Sequence, residues 1–261
     1  MTKIAVVIPV RNAEKTLERS VRSVFEQSLL KRSQEHELHV ILVYNNCTDN
    51  SEVVGHALAL ESACDHQYNI QSFLGVHEIK MPEDQRGIVP ALNTGLFEAR
   101  RLGVDLIARQ DADDLWHPTK LEIQLLTLER HPEVDILGTQ ARLVLPGTYQ
   151  PVRDTNNPML DHLIRSSLLN GHNPIAHPSV IFKTRVMTVA GVYDNLFPMA
   201  EDLWLWMKAS RAGLKLANTS EVLVDYTSTH NPNYTPLSPQ LAAHTLKQIH
   251  NTFPVNHHQQ T

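Results

Sequence analysis

Short apolar runs alternate with stretches of helical periodicity in the first half of the chain, and this alternation constrains the fold most strongly. Residues Ile4–Ile8 form a continuous apolar run ended by Pro9, as expected of a strand buried on both faces. Apolar residues then recur at helical spacing over Leu17–Phe25. Two more runs, His39–Tyr44 and Val104–Ala108, are each followed by polar residues and another helical pattern. This order predicts an α/β fold, a three-layer sandwich around a mostly parallel sheet.

The second half of the chain is less regular. After residue 230 the composition shifts to Asn, Pro, Thr and Gln. We therefore expect one domain over residues 1–230 and a short C-terminal extension over 231–261, with a helix over 237–251 and then a disordered tail. The predicted elements of this half are strands over 135–145, 179–182 and 222–226 and helices over 159–169 and 202–212.

Composition excludes several classes of protein. The net charge of −5 and the lack of a basic run give no reason to expect nucleic-acid binding. Two cysteines, Cys47 and Cys64, are too few for a disulfide framework. The first apolar stretch is too short for a signal peptide, and no run approaches the roughly 20 apolar residues of a spanning helix. We expect a cytoplasmic protein, with at most peripheral contact to the inner face of a membrane.

Three carboxylates lie within four residues directly after the apolar run Val104–Ala108. Because side chains alternate along an extended chain, Asp111 and Asp113 can point into the same crevice. Carboxylates held that close repel each other unless a positive group lies between them, and Mg²⁺ or Mn²⁺ prefers such oxygen ligands. The cluster alone leaves two interpretations open: a metal site, or a solvated acidic loop that caps a helix beginning near His117.

Several short motifs follow one another along residues 3–230. They are Val7–Glu14, Arg86–Gly87, Ala91–Leu96 with Ala99, Ile107–Asp114 with Pro118 and Gln124, His177–Ser179, Gly191–Asp194 and Glu201–Trp206. In this order they resemble the inverting glycosyltransferases of family 2, which have the GT-A (Rossmann-like) fold. The resemblance implies a nucleotide-diphosphate sugar as donor, an acceptor hydroxyl and a divalent cation, Mn²⁺ or Mg²⁺.

The resemblance also assigns roles to the acidic cluster and the donor-side residues. Asp113 is expected to bind the metal and Asp111 to face the ribose, while Asp114 is expected to be a first-turn acid of the next helix. Arg86 and Arg109 suit diphosphate oxygens, because a guanidinium donates to phosphate in a bidentate manner. The residues expected to contact the donor nucleotide are Pro9, Arg11, Asn12, Glu14, Tyr44, Asn45, Arg86, Asn93, Arg109 and Asp111.

Inversion requires a general base on the face of the sugar opposite the leaving group. In the family the Asp of a Glu-Asp pair supplies it, which corresponds to Asp202. Glu201 is expected to contact the acceptor or support Asp202. The alternative for both residues is ordinary capping of the helix that follows.

Three further residues are candidates on the acceptor and metal sides. His177 is a structural loop residue or lines the acceptor cleft. Trp204 can stack on a sugar, whereas Trp206 shares the apolar face of its helix and is expected in the core. His230 follows the last predicted strand, near where GT-A enzymes often have a metal-binding histidine. It is a metal ligand or a plain loop residue.

One departure from the family affects the choice of donor. The second strand ends in Tyr44-Asn45, where the family usually has Asp-Asp or Asp-Asn and the first Asp contacts the nucleotide base. Tyr44 cannot act as an ionised acceptor at neutral pH. UDP-sugars are the commonest donors of the family, but here a base other than uracil, or a relaxed base pocket, is the hypothesis.

The function we predict is metal-dependent inverting transfer of a sugar in the synthesis of a polysaccharide, a lipopolysaccharide or another glycoconjugate. The acceptor is a saccharide, lipid-linked molecule or protein, and residues 135–174 are expected to select it. The alternative is a catalytically weakened homologue that only binds nucleotide sugars. A nucleotidyltransferase is disfavoured, because the loop over residues 9–14 lacks the glycines that cradle a triphosphate.

Overall fold

The computed structural model describes residues 2–32, 36–62, 73–194 and 200–227. The described residues form one sheet of nine strands. The strands are β1 (Thr2–Val10), β2 (His36–Tyr44), β3 (Phe73–Lys80), β4 (Leu106–Arg109), β5 (Leu115–Trp116), β6 (Val134–Val144), β7 (Pro151–Asp154), β8 (Ile181–Lys183) and β9 (Lys215–Thr227). Their order is β3-β2-β1-β4-β8-β6-β9-β5, and β7 pairs with β6.

Helices cover both faces of this sheet. They are α1 (Leu17–Phe25), α2 (Ser28–Arg32), α3 (Ser51–Ser62), α4 (Ile88–Arg101), α5 (Lys120–Arg130), α6 (Asp161–Leu169), α7 (Arg185–Val189) and α8 (Glu201–Arg211). One apolar core joins the sheet to α4, α6, α7 and α8, and a second joins it to α1, α2, α3 and α5. The predicted α/β three-layer architecture is confirmed.

The directions of the strands bring several strand ends to one edge of the sheet. β3, β2, β1 and β4 are mutually parallel, with Val10 opposite Tyr44 and Val7 opposite Arg109. β8 is antiparallel to both β4 and β6, so the two reversals return β6, and with it the parallel β9, to the direction of β4. The carboxyl ends of β1, β2, β4, β6 and β9 therefore share one edge, where ligands bind in such sheets. We call it the C-terminal edge.

Helix α8 reaches the same edge from the other direction. It ends at a turn in which Gly213 has a φ of +84°, and β9 begins two residues later. A helix and strand joined by so short a turn run in opposite directions. Since β9 ends at the C-terminal edge, the first residues of α8, Glu201 and Asp202, lie there too. The helix predicted over residues 202–212 agrees with α8 to within one residue at each end. The strand predicted over residues 222–226 was too short, because β9 starts seven residues earlier.

The predicted boundary at residue 230, the extension over 231–261 and its helix lie outside the described residues. In the part of the chain that is described, no helix is long and apolar enough to cross a membrane.

Candidate functional site

The loops after β1 and β2 are joined into one wall at the C-terminal edge. The Asn12 Oδ1 atom accepts a hydrogen bond from the Thr48 backbone N–H at 2.8 Å. The Glu14 N–H donates to Asp49 Oδ2 at 3.0 Å, and Glu14 Oε2 accepts from the Asn50 N–H at 3.1 Å. These bonds engage Asn12 Oδ1 and Glu14 Oε2 with the neighbouring loop, so both residues shape the wall.

Other predicted donor residues of these two strands differ in accessibility. Pro9 is buried within β1, whereas Arg11 is exposed. Tyr44 is only 3% exposed, and its hydroxyl donates to Glu78 Oε1 at 2.8 Å. Its ring packs so closely on α3 that a Cβ at Gly55 would lie 2.0 Å from the hydroxyl oxygen. Burial and then the Glu78 carboxylate raise the pKa of Tyr44. The phenol is neutral and hydrogen-bonded inside the protein.

Two asparagines that were predicted to contact the donor hold backbone segments at this edge. Asn45 Oδ1 accepts from the Gly87 N–H at 3.2 Å, which ties the start of α4 to the end of β2 beside the exposed Arg86. Asn93 Nδ2 donates to the Tyr193 carbonyl at 2.9 Å, and its Oδ1 accepts from the Tyr193 N–H at 3.1 Å. The donor and the acceptor of the Asn93 amide thus both bind the backbone of Tyr193 and fix its position.

The acidic loop after β4 brings three carboxylates together. Asp111, Asp113 and Asp114 each offer an oxygen, and these oxygens all lie within 4.8 Å of one another. The Arg109 Nη1 atom donates to Asp111 Oδ2. The Ser20 hydroxyl of α1 donates to the Asp111 carbonyl at 2.7 Å, which anchors the loop to the first helix.

Asp114 has a different role from the one expected. The next helix starts only at Lys120, and Asp114 is fully buried beside β5, so its predicted role as a first-turn helix acid is wrong. Its Oδ1 atom accepts from the Thr227 N–H at the end of β9 at 2.7 Å. The Thr227 hydroxyl and the Tyr149 hydroxyl both donate to the Asp113 carbonyl, at 2.7 and 3.0 Å. The turn between β6 and β7 and the end of β9 therefore fix this loop.

The cluster carries more negative charge than its surroundings balance. Burial and then the Asp111 charge raise the pKa of Asp113 to about 6. Burial and the charges of both neighbours raise the pKa of Asp114 well above its ordinary value. The Asp114 Oδ2 atom is buried and has no hydrogen-bond partner among the described residues. Crowded carboxylates with an unsatisfied oxygen fit a divalent cation, which takes oxygen ligands.

The charge of Arg109 acts both on this acidic cluster and on the carboxylates at the start of α8. Successive side chains of β4 point to opposite faces of the sheet, so Arg109 lies on the same face as Ile107. Ile107 packs in the apolar core that contains α8. Its residue is only 5% exposed, and its Nε atom is buried without a partner in the described part of the chain. Burial lowers the pKa of Arg109, but Asp111 outweighs it, so the guanidinium stays charged. That charge acts on Glu201 and Asp202 as well.

The carboxylate of Asp202 is held by two donors at the start of α8. Asn173 Nδ2 donates to Asp202 Oδ2 at 2.6 Å, and the Leu203 N–H donates to Oδ1 at 2.7 Å. Burial raises the pKa of Asp202, although these two bonds oppose the increase. Glu201 is 8% exposed, and burial and then Asp202 raise its pKa. The N-cap residue is Ala200, whose side chain forms no capping bond. The Leu203 N–H bond to Asp202 Oδ1 is of the capping kind, whereas the bond from Asn173 engages the other oxygen of Asp202.

The aromatic residues around Asp202 lie mostly in the core. His177 Nε2 lies 2.8 Å from the Tyr193 hydroxyl, and its ring meets the edge of Trp206 at 6.1 Å. Burial and then Arg109 lower the pKa of His177 well below its ordinary value, so the ring is neutral. Trp206 is fully buried, which confirms its predicted place in the core. Trp204 is 3% exposed, so this tryptophan, expected to line the cleft, is buried as well.

Sequence reasoning missed three residues of this edge and could not be tested on a fourth. Asn173, Tyr149 and Thr227 were given no role, because each bonds to a residue at least 29 positions away and no local pattern marks them. His230 lies outside the described residues.

Comparisons with known proteins show which family this chain is similar to. The sequence model described as Glycosyl transferase family 2 matches residues 5–185. The bifunctional glycosyltransferase pgtA of Dictyostelium discoideum is 27% identical over 81% of this chain and 29% of its own length. An uncharacterized glycosyltransferase of Haemophilus influenzae is 31% identical over 56% of the chain and 52% of its own length. The amylovoran biosynthesis glycosyltransferase AmsE of Erwinia amylovora is 28% identical over 84% and 74%. The chain thus spans only about a third to a half of the first two relatives.

Two solved structures share the fold. S. aureus TarS 1-349 in complex with UDP-GlcNAc superposes with a TM-score of 0.62 and 17% identity over 95% of this chain and 65% of its own. The mannosyltransferase PcManGT from Pyrobaculum calidifontis, in complex with GDP-Man and Mn²⁺, gives 0.62 and 18% over 87% and 57%. These likenesses confirm the predicted fold.

Proposed function

The chain belongs to glycosyl transferase family 2, and we propose that it transfers a sugar from a nucleotide-diphosphate sugar to an acceptor hydroxyl with inversion at the anomeric carbon. One observation carries this proposal: the acidic cluster after β4 and the Asp202 carboxylate lie on one sheet edge, and the buried Arg109 charge acts on both. Two separate acidic groups suit the two halves of the reaction, departure of a diphosphate and removal of a proton.

We propose Mn²⁺ or Mg²⁺ as the cofactor, with Asp113 as its main ligand and Asp111 and Asp114 beside it. When bound, the ion supplies positive charge to the diphosphate oxygens. The crowding of three carboxylates and the unsatisfied Asp114 oxygen support this assignment. The complex of PcManGT with GDP-Man and Mn²⁺ is in keeping with it. His230 remains a proposed further ligand.

We propose that the donor nucleotide lies along the wall formed by the loops after β1 and β2. The exposed guanidinium groups of Arg11, directly after β1, and Arg86, just before α4, suit the diphosphate. Asn12 and Glu14 would act by keeping the wall rigid, since their side chains bind the neighbouring loop. The structural neighbours bind UDP, UDP-GlcNAc and GDP-Man, and they leave the base of this donor open.

We propose Asp202 as the general base. As the acceptor oxygen bonds to the anomeric carbon, the bond from that carbon to the diphosphate oxygen breaks, and the diphosphate keeps the electron pair. The proton of the acceptor hydroxyl passes to the Asp202 carboxylate. Burial raises the pKa of Asp202, which makes the ionised carboxylate a better proton acceptor. Glu201, which precedes it in the chain, and His177, which pairs with the Tyr193 hydroxyl, are proposed to contact or support the acceptor.

The acceptor is proposed to be a hydroxyl of a growing polysaccharide or another glycoconjugate. The name of the Erwinia relative, an amylovoran biosynthesis glycosyltransferase, supports this class. Residues 135–174, which contain Asn173 beside the proposed base and the Tyr149 that holds the acidic loop, are proposed to select it.

The test is a screen of UDP-, GDP- and dTDP-sugars for release of nucleoside diphosphate in the presence of Mn²⁺. We expect the wild type to turn over at least one donor, and Asp113→Ala and Asp202→Asn each to lower the rate by about 100-fold or more. Glu133→Gln is the matched control, because this exposed carboxylate lies near His131 just before β6, at the end of the strand opposite the C-terminal edge. If neither Asp113→Ala nor Asp202→Asn changes the activity, the proposed mechanism is wrong.

A further inference from the structure

An exposed asparagine on the loop between α6 and β8 is fixed in the orientation that serves Asp202. The Asn173 Oδ1 atom accepts a hydrogen bond from the Ile175 N–H at 3.3 Å. Its Nδ2 atom donates to Asp202 Oδ2 at 2.6 Å. Because a backbone donor occupies the oxygen end of the amide, the nitrogen end faces the carboxylate, which can only accept when ionised. The loop therefore presents a donor to the Asp202 carboxylate.

The second oxygen of Asp202 is held by a different element. The Leu203 N–H in the first turn of α8 donates to Oδ1 at 2.7 Å. The two bonds come from separate parts of the chain and fix the plane of the carboxylate. Each oxygen keeps a second lone pair for another donor, such as an acceptor hydroxyl.

The other polar groups around Asp202 act on its charge without bonding to it. Arg109 from β4 favours the ionised form, and the carboxylate of Glu201 on α8 couples to it in the opposite sense. The hydroxyls of Tyr193 and of Tyr226 on β9 are also within its electrostatic reach. In the described part of the chain, the side-chain hydrogen bond to the carboxylate comes from Asn173.

We propose that Asn173 is a positioning residue of the transfer reaction: it holds the Asp202 carboxylate ionised and oriented to receive the proton of the acceptor. The inference rests on the proposed role of Asp202 as the base. Asn173 acts through that carboxylate and takes no proton itself.

The test compares Asn173→Ala and Asn173→Asp with matched substitutions at Asn170. Asn170 lies on the same loop and is exposed, but its Nδ2 atom donates to the Ser166 carbonyl at 2.9 Å, away from Asp202. The pKa of the Asp202 carboxyl is measured by carbon-13 NMR titration, with the signal assigned by its loss in Asp202→Asn. The pH profile of nucleoside diphosphate release from the donor found in the screen is measured in parallel.

We expect Asn173→Ala to raise the pKa of Asp202 by about one unit, and Asn173→Asp to raise it further, because a like charge then faces the carboxylate at hydrogen-bond distance. The acid limb of kcat/KM should move to higher pH by the same amount. The Asn170 variants should leave the pKa of Asp202 unchanged. If Asn173 had only a structural role, Asn173→Ala would have the larger effect and Asn173→Asp the smaller one, because aspartate preserves the shape of asparagine and alanine does not.

An Asp202 pKa that is unchanged in both Asn173 variants overturns the inference. The two failures are distinguishable. If Asp202→Asn retains full transfer activity, the proposed role of Asp202 as the base fails, whatever the Asn173 variants do. If Asp202→Asn is inactive while both Asn173 variants keep the wild-type titration and pH profile, only the role of Asn173 fails.

Discussion

Replacing Arg109, the buried cationic side chain of the site, should destabilise the protein. A bound divalent metal ion should restore part of the lost stability. Arg109 is 5% exposed and forms an ion pair with Asp111, whose side chain is 26% exposed. Arg109→Met keeps the apolar stem and removes the charge. The three neighbouring carboxylates then lose their buried cation.

The size of the effect follows from this geometry. Removing one partner of a buried ion pair costs about 3–5 kcal/mol. The partial exposure of Asp111 lets water screen part of its charge, so we expect a loss of about 2–4 kcal/mol in the free energy of unfolding. For a protein of this size that corresponds to a decrease in Tm of roughly 4–16 °C. Because Mn²⁺ would replace the missing charge, it should raise Tm more in the variant than in the wild type.

Differential scanning calorimetry with and without Mn²⁺ measures both effects. Arg142→Met is the control, because the Arg142–Asp154 pair is exposed, at 41% and 44%, and should contribute less than about 1 kcal/mol. The reasoning is refuted if Arg109→Met costs no more than the control. It is also refuted if Mn²⁺ stabilises wild type and variant equally.

Three further predictions concern the sheet and its helices. Gly95→Ala should cost about 1–3 kcal/mol in urea unfolding, because its Cβ would lie 2.3 Å from Val7 Cγ1; unchanged stability would contradict the packing. Tyr44→Phe should cost about 1 kcal/mol by losing the bond to a β3 glutamate. The preference among UDP, GDP and dTDP, measured by calorimetry, should not change. An altered preference would show that Tyr44 contributes to the base pocket. Burial lowers the pKa of His39 and His77, so the unfolded chain binds more protons, and stability should fall as pH drops below the ordinary histidine value of 6.5. The free energy of unfolding, measured in urea between about pH 5 and 7, should depend less steeply on pH when both histidines are replaced by glutamine.

The sequence predicted the parallel half of the sheet because local patterns encode it. β1, β2 and β4 are short apolar runs buried on both faces, and the helices between them keep a period near 3.6. The reversal of β8 depends on which distant strands pair, and local periodicity holds no such information. β9 was predicted too short because its first half, from Lys215 to Glu221, is mostly polar and lacks an apolar run.

The same limit applies to the site. The acidic cluster was visible because three carboxylates follow a strand, but its sequence does not reveal that Asp114 is buried against Thr227. The engagement of Tyr44 depends on Glu78 on the next strand and on the space left by Gly55. Asn173 lies in a polar loop, a pattern typical of a turn. Each of these roles depends on long-range packing.

The central claim is that Asp113 serves donor binding through a metal ion while Asp202 serves proton transfer. The most direct test measures nucleotide binding and turnover in the same variants. Calorimetry with UDP and GDP, with and without Mn²⁺, is paired with nucleoside diphosphate release from UDP-GlcNAc and GDP-Man. We expect Asp113→Asn to lose Mn²⁺-dependent binding, and Asp202→Asn to bind as the wild type does but to release no product. Mn²⁺-dependent binding that survives in Asp113→Asn, or turnover that survives in Asp202→Asn, would contradict the claim.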